Sequence, residues 1–182
     1  MTIEQDIAER LSRGDSLAEK LLYETYASWL LGVCFRYVCD RSVAEDLLHD
    51  GFIQILTHIR QFRWQGEGSL KAWLFRVQQN TILMHLRKES QLIETLPIDE
   101  VQVGEIPDPE TIRDIPHQVL LQLIAELPPG YRAVFNMYVI DGHSHKEIAQ
   151  LLGIQEKSSS SQLLHAKRLL AARIKAWRKE NL

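Results

Sequence analysis

Two kinds of side chain in this sequence carry chemistry: cations with aromatics among them, and a short cluster of acids. Between Gly51 and Lys88 stand six basic residues, Arg60, Arg63, Lys71, Arg76, Arg87 and Lys88, against one acid, Glu67. Phe62 and Trp64 fall among them, beside glycines 66 and 68, in a loop where large rings are hard to bury. Cations for phosphates and loop aromatics for unstacked bases are what a single-strand-binding surface needs. A second basic run holds Lys157, Lys167, Arg168, Arg173, Lys175, Arg178 and Lys179, with no acid between Lys157 and Lys179. A charge run is usually a solvated helix face. This one follows a short capped helix and a turn, which points it at DNA. The acids are Glu45, Asp46 and Asp50, which with His49 and, one turn on, Gln54 line one side of a helix.

Nothing here assembles an enzyme. Of the seven histidines, His143 and His145 flank a helix cap at Ser144, and His49, His58 and His85 are scattered. No Gly-x-x-x-x-Gly-Lys-[Ser/Thr] loop is present to cradle phosphates. Cys34 and Cys39 match no metal-ligand spacing and read as free thiols of a reducing compartment. The expectation is therefore no catalytic residue, no cofactor and no metal. MTIEQDIAER lacks the build of a signal peptide, and no apolar run approaches the roughly 18 residues of a membrane span. A cytoplasmic protein is expected.

Helical periodicity must position these side chains. Leu127–Leu170 reads as a helix, a tight connection, a short helix, a glycine turn and a longer helix. Pro128 and Pro129 open the first, and Asp141-Gly142 break it. Ser144-x-x-Glu147 is a capping box, Ile148, Ala149 and Leu152 form one apolar stripe, and Gly153 ends the helix before another starts near Glu156. This is the helix-turn-helix arrangement, whose second helix can lie in a major groove. Upstream, Glu4–Leu11 and Ser16–Val38 read as helices. A second capping box, Ser42-x-x-Glu45, opens a helix carrying Leu47, Leu48, Phe52, Ile55, Leu56 and Ile59. Ser69 can cap a fourth, with a stripe of Leu70, Trp73, Leu74, Val77, Thr81 and Met84.

No strand is expected, because alternation of apolar and polar residues never persists. Glu89–Ile115 holds eight acids, one base and no helical period, so it reads as a flexible acidic linker. The fold class is all-α: two small helical domains, 1–88 and 116–182, joined by the linker 89–115. The overall charge of −3 hides this division, since 116–182 carries nine bases against five acids.

Three segments, AEDLLHDGFIQIL (44–56), SLKAWLFRVQQNTILMHLRK (69–88) and LPPGYRAVFNMYVIDGHSHKEIAQLLGI (127–154), resemble a bacterial RNA polymerase sigma factor of the extracytoplasmic-function (ECF) type. The resemblance implies a region 2-like bundle and a region 4-like helix-turn-helix domain. It implies RNA polymerase core and promoter DNA as partners, and admits an anti-sigma factor. Asp46, His49 and Asp50 would then dock on the clamp coiled coil of the largest subunit, with histidine where the family usually has glutamine. Phe62, Trp64, Lys71, Arg76, Asn80 and Arg87 would bind the minus-ten element, with a non-template base extruded beside the loop. The last helix would read the minus-thirty-five element through Lys157, Ser158, Ser160, Ser161, Gln162, His165, Lys167, Arg168 and Arg173, and its domain would touch the flap.

In that helix Lys157 replaces a usual glycine, and Ser160 and His165 replace common cations. Its serines discriminate weakly between bases, whereas Gln162 could read adenine. A two-domain helix-turn-helix regulator that never recruits core polymerase fits the second half of the chain equally well. Only the aromatic loop and the acidic helix face separate the two readings.

Overall fold

The computed structural model describes residues 2–93 and 115–181, and the side chains of 2–88 and 115–181. Every regular element among the described residues is helical. The chain divides into two compact units, Met1–His85 and Leu86–Leu182.

In the first unit, α1 (Ile3–Ser12) is capped by Thr2, and α2 (Ser16–Val38) by Asp15, whose Oδ1 accepts from the Leu17 N–H at 2.9 Å. Arg10 joins the two helices by donating to Asp15 at 2.8 Å and to Asp6 at 3.3 Å. Cys39 ends α2 in the left-handed region at φ 57°, an uncommon conformation for a side-chain-bearing residue. The next helix, α3 (Arg41–His58), does not open at the expected Ser42 box. Asp40, two residues earlier, accepts from the Val43 N–H, and Glu45 instead takes a hydrogen bond from Arg41 at 2.8 Å. A 3-10 turn (Ile59–Gln61) leads to the loop 62–68 and then to α4 (Ser69–Ile93).

Leu22, Leu30, Tyr37, Ile55, Leu70, Leu74 and Ile82 are the fully buried centre of this unit. Leu56 and Met84, expected on apolar stripes, are exposed instead, and two glutamines take core positions. Gln78 is wholly buried and donates to the Leu47 carbonyl at 2.7 Å. It lies so close to Gly51 that any Cβ there would overlap its carboxamide. Glycine in the middle of α3 costs helix propensity, and that cost is the condition for α4 to cross here.

The segment expected as a linker is shorter than 89–115 among the described residues. Helix α4 continues to Ile93, and Ile115 is buried in the second core. Residues 94–114, with most of the acids, lie outside the described residues.

Beyond the end of α4 and Ile115, the second unit holds α5 (His117–Ala125), then α6 (Pro129–Phe135), which continues as a π turn (Asn136–Ile140). Arg132 is buried and closes the α5–α6 connection by donating to the Ala125 and Leu127 carbonyls at 2.7 and 2.9 Å. Helix α7 (His145–Leu152) has the expected capping box at both of its bonds, and Gly153 ends it at φ 70°. Helix α8 (Glu156–Asn181) packs Ala166, Leu170 and Ile174 against Ile115, Leu123, Ile124 and Leu127.

Candidate nucleic-acid interface

The loop 62–68 is held from both of its ends and from outside. Phe62 packs on Trp73, ring centres 5.6 Å apart, so neither ring is free and Trp64 is the loop aromatic left half-exposed without a recorded ring partner. Arg63 turns back to donate to the Arg60 and Phe62 carbonyls. Gly66 and Gly68 take φ of 107° and 83°, which β-carbon-bearing residues rarely adopt. Ser69 braces the loop rather than capping α4: its hydroxyl donates to the Gly66 carbonyl and accepts from the Gln65 N–H.

The cap of α4 comes from the other end of the unit. Glu4 on α1 accepts from the Gly68 N–H at 2.7 Å and from the Lys71 N–H at 2.9 Å. In an ordinary capping box, one side chain takes the N3 amide and another the N-cap amide. Here Gly68 has no side chain and Lys71 no acceptor, and one distant carboxylate does both jobs. Its charge also suits the positive end of the helix dipole. Burial first, and the Glu4 carboxylate second, hold the Tyr26 phenol above its ordinary pKa.

The helix so capped presents Lys71, Arg76 and Asn80 to solvent, and Arg87 farther along is also exposed. Beside it lies a cleft of about 410 Å³ lined by Trp29, Gly68, Lys71, Ala72, Phe75 and Arg76. Trp29 and Phe75 are 6.4 Å apart between ring centres, and the Lys71 ammonium sits 4.9 Å from the Trp29 ring centre. On α3 of the same unit, Asp46, His49 and Asp50 are all exposed at three- and four-residue spacing. Ile53, 61% exposed, extends that stripe by one turn.

In the second unit the short helix, the glycine turn and the long helix stand as expected, but α8 spends its residues differently from the expectation. Lys157, Ser160 and Ser161 are exposed, with Leu164 continuing the same face. Ser159 is buried, and its hydroxyl is hydrogen-bonded to His145 Nδ1 at 3.0 Å. Tyr138 stacks on His145 at 4.5 Å, with the Lys167 ammonium 6.0 Å from its ring centre. Gln162 lies against Gly130, and His165 stacks on Tyr131 at 5.7 Å. Arg173 donates to the Leu123 carbonyl and pairs with Glu126 at 3.6 Å, tying α8 to α5. Ser158, Lys167 and Arg168 are half-exposed.

Two family models match the chain, Sigma-70 region 2 over residues 22–91 and Sigma-70, region 4 over residues 117–170. The chain belongs to the ECF sigma factors. It is 28% identical over 180 residues to the RNA polymerase sigma-H factor of Pseudomonas aeruginosa, covering 92% of each chain. It is 26% identical over 156 residues to the ECF RNA polymerase sigma factor SigM of Bacillus subtilis, covering 83% of this chain and 91% of that one. Among solved structures, the sigma factor RpoE in complex with the anti-sigma factor NepR from Bartonella quintana shares the fold. That match has a TM-score of 0.51 at 19% identity, over 86% of this chain and 96% of that one. CnrH in complex with the cytosolic domain of CnrY matches at TM-score 0.50 and 19% identity, over 95% and 97%.

As a sigma factor the protein binds RNA polymerase core and promoter DNA and acts in transcription initiation, not as an enzyme. No helix among the described residues is long and apolar enough to cross a membrane. The residues that sequence reasoning missed in this sigma factor are Glu4, Trp29 and Phe75. Glu4 lies outside the residues matched to region 2. Trp29 stands among the apolar residues of α2, where nothing in its spacing sets it apart from core. A cluster of two aromatics and two cations drawn from separate helices has no signature along the chain.

Proposed function

We propose that residues 1–88 bind both the polymerase and the minus-ten element, and that residues 116–182 read the minus-thirty-five element and touch the flap. Asp46, His49 and Asp50 dock on the clamp coiled coil of the largest subunit, with Ile53 adding apolar area beside them. Trp64 and Asn80 receive an extruded base of the non-template strand, and Phe62 holds the loop in place by packing on Trp73. Lys71, Arg76 and Arg87 neutralise phosphates. On α8, Lys157, Ser158, Ser160 and Ser161 face the groove, with Lys167 and Arg168 on the flanking phosphates. Gln162, His165 and Arg173 set the pose of that helix from behind. The protein works in the cytoplasm, and an anti-sigma factor is a further partner, as NepR is for RpoE of Bartonella quintana.

The observation that carries this reading is the loop: two positive-φ glycines and a distant carboxylate fix the backbone of a segment that carries half-exposed Trp64 and runs into exposed cations on α4. Extruding a base costs a few kcal/mol. Stacking it on an aromatic returns about 1–3 kcal/mol. The exchange is close to balanced, so a preformed aromatic loop holds opened strand without hydrolysing a nucleotide. Run-off transcription with purified core polymerase over a pool of genomic promoters tests it. Transcripts should start from promoters sharing two separated elements. A chain that binds duplex DNA as a dimer and never associates with core polymerase would instead be a plain regulator.

A further inference from the structure

The geometry points to a second nucleotide-binding subsite in the cleft between α2 and α4, taking an unpaired base of the same strand on Trp29 and Phe75 and its phosphate on Lys71 and Arg76. This rests on the proposal that the loop 62–68 holds single-stranded DNA.

Three features of the cleft argue for it. It is a shallow hollow of about 410 Å³, open to solvent, that offers a wall for a flat ring to lie against rather than an enclosed pocket. Its floor is two half-buried aromatic rings from different helices, 6.4 Å apart and inclined by 35°, with no carboxylate in the lining. Its rim carries two exposed cations, whose charge complements a phosphate rather than an acidic or apolar peptide side chain alone. Acids do lie nearby, and they do not oppose this. Both oxygens of Glu4 are engaged by the Gly68 and Lys71 amides, and Glu67 is exposed on the loop, outside the cleft lining.

The cleft is also built into the candidate DNA site. Gly68 ends the loop and lines the cleft, and Lys71 lies one turn along α4. Glu4 fixes the backbone of both residues, so one tie sets the loop and the cleft rim together. A strand leaving the loop therefore meets the cleft next. The Lys71 ammonium now covers the Trp29 ring. An arriving base replaces it there, stacking being tolerant of base identity, and the ammonium is released to the phosphate.

The test uses holoenzyme reconstituted from core polymerase and the full chain, on a non-template strand probe from a promoter it transcribes. Each position of the probe is replaced in turn by an abasic sugar. Two positions should lose about tenfold in affinity. At one of them, the abasic penalty should vanish in Trp29→Leu and persist in Trp29→Phe and in Trp64→Ala. In the unaltered protein, 5-iodouracil at that position should photocrosslink to Trp29, a readout that needs no variant to fold. Lys71→Gln should lower the salt slope by about 0.7, as one single-strand phosphate contact requires. A penalty that depends on Trp64 but never on Trp29, with no Trp29 crosslink, overturns the subsite and leaves the loop reading intact. No abasic-sensitive position at all overturns both.

Discussion

The two units present their candidate DNA-binding residues by opposite means. In the first, a loop carries half-exposed Trp64 and α4 exposes Lys71, Arg76 and Asn80, and the tie at the junction of loop and helix comes from Glu4, 64 and 67 residues away. In the second, the candidates lie on one continuous helix, α8, and the helix before it, α7, is capped locally by Ser144 with Glu147 three residues on. A helix must give its inner face to the core. Accordingly Ser159 is buried, Gln162, His165 and Arg173 are held against the rest of the unit, and Lys157, Ser160 and Ser161 are exposed. A basic run on a helix thus overstates the groups it leaves free for a partner, and a braced loop understates what braces it.

The largest effect should come from breaking the first unit alone. Gly51→Ala places a Cβ into the Gln78 carboxamide and threatens the buried bond to Leu47. Overpacking of this kind costs about 1–3 kcal/mol, and a lost buried hydrogen bond adds about 1–3 more. Hydrogen exchange should show α3 and α4 amides opening by that amount, with α8 unchanged. Equal acceleration in α8 would mean that the two units are not energetically separate.

Glu4→Ala sharpens the same contrast. It should raise exchange at the Gly68 and Lys71 amides and weaken binding of a single-stranded probe by about fivefold, roughly 1 kcal/mol, while duplex binding by α8 stays the same. Glu4→Gln, which keeps one acceptor, should fall between. If the probe binds Glu4→Ala as well as the unaltered chain, the tie matters only for folding.

Periodicity made the helices legible because burial repeats every three to four residues, and the Ser144 box was legible because both its members lie in one short stretch. The same local logic misplaced the start of α3. It found Ser42 and Glu45, but Asp40 accepts from the Val43 amide first. It also predicted apolar burial at Leu56 and Met84, although Gln78 and Gln79 take the interior. Glu4, Trp29 and Phe75 were illegible for a different reason. Their roles exist only once α1, α2 and α4 are packed, and no spacing along the chain encodes that.

A matched pair of variants tests the division within α8. Lys157→Gln should lower the slope of log affinity for duplex promoter DNA against log salt by about 0.9, the value for one phosphate contact. Arg173→Gln should leave the slope unchanged and instead lower stability by less than about 1 kcal/mol, since its partner Glu126 is half-exposed. A slope change for Arg173→Gln equal to that for Lys157→Gln would return Arg173 to the DNA face and erase the contrast between the two units.

The smallest effect concerns the cap itself. The Ser144 amide first, and its hydroxyl second, hold the Glu147 carboxyl below its ordinary value of 4.5. A depressed carboxyl favours the folded state wherever the unfolded chain would already be ionised, that is, above about pH 4.5. The contribution is lost as pH falls from there through the folded value. The stability gap between the unaltered chain and Glu147→Gln should therefore be nearly constant from pH 7 to pH 5 and close as pH falls below 4.5, as read by denaturant titration of α7 and α8. The group is fully exposed, so added salt should narrow the gap at neutral pH. If the gap ignored pH, Ser144 alone would be orienting the recognition helix. The second unit would then rest on a single hydroxyl, where the first rests on a carboxylate shared between two amides.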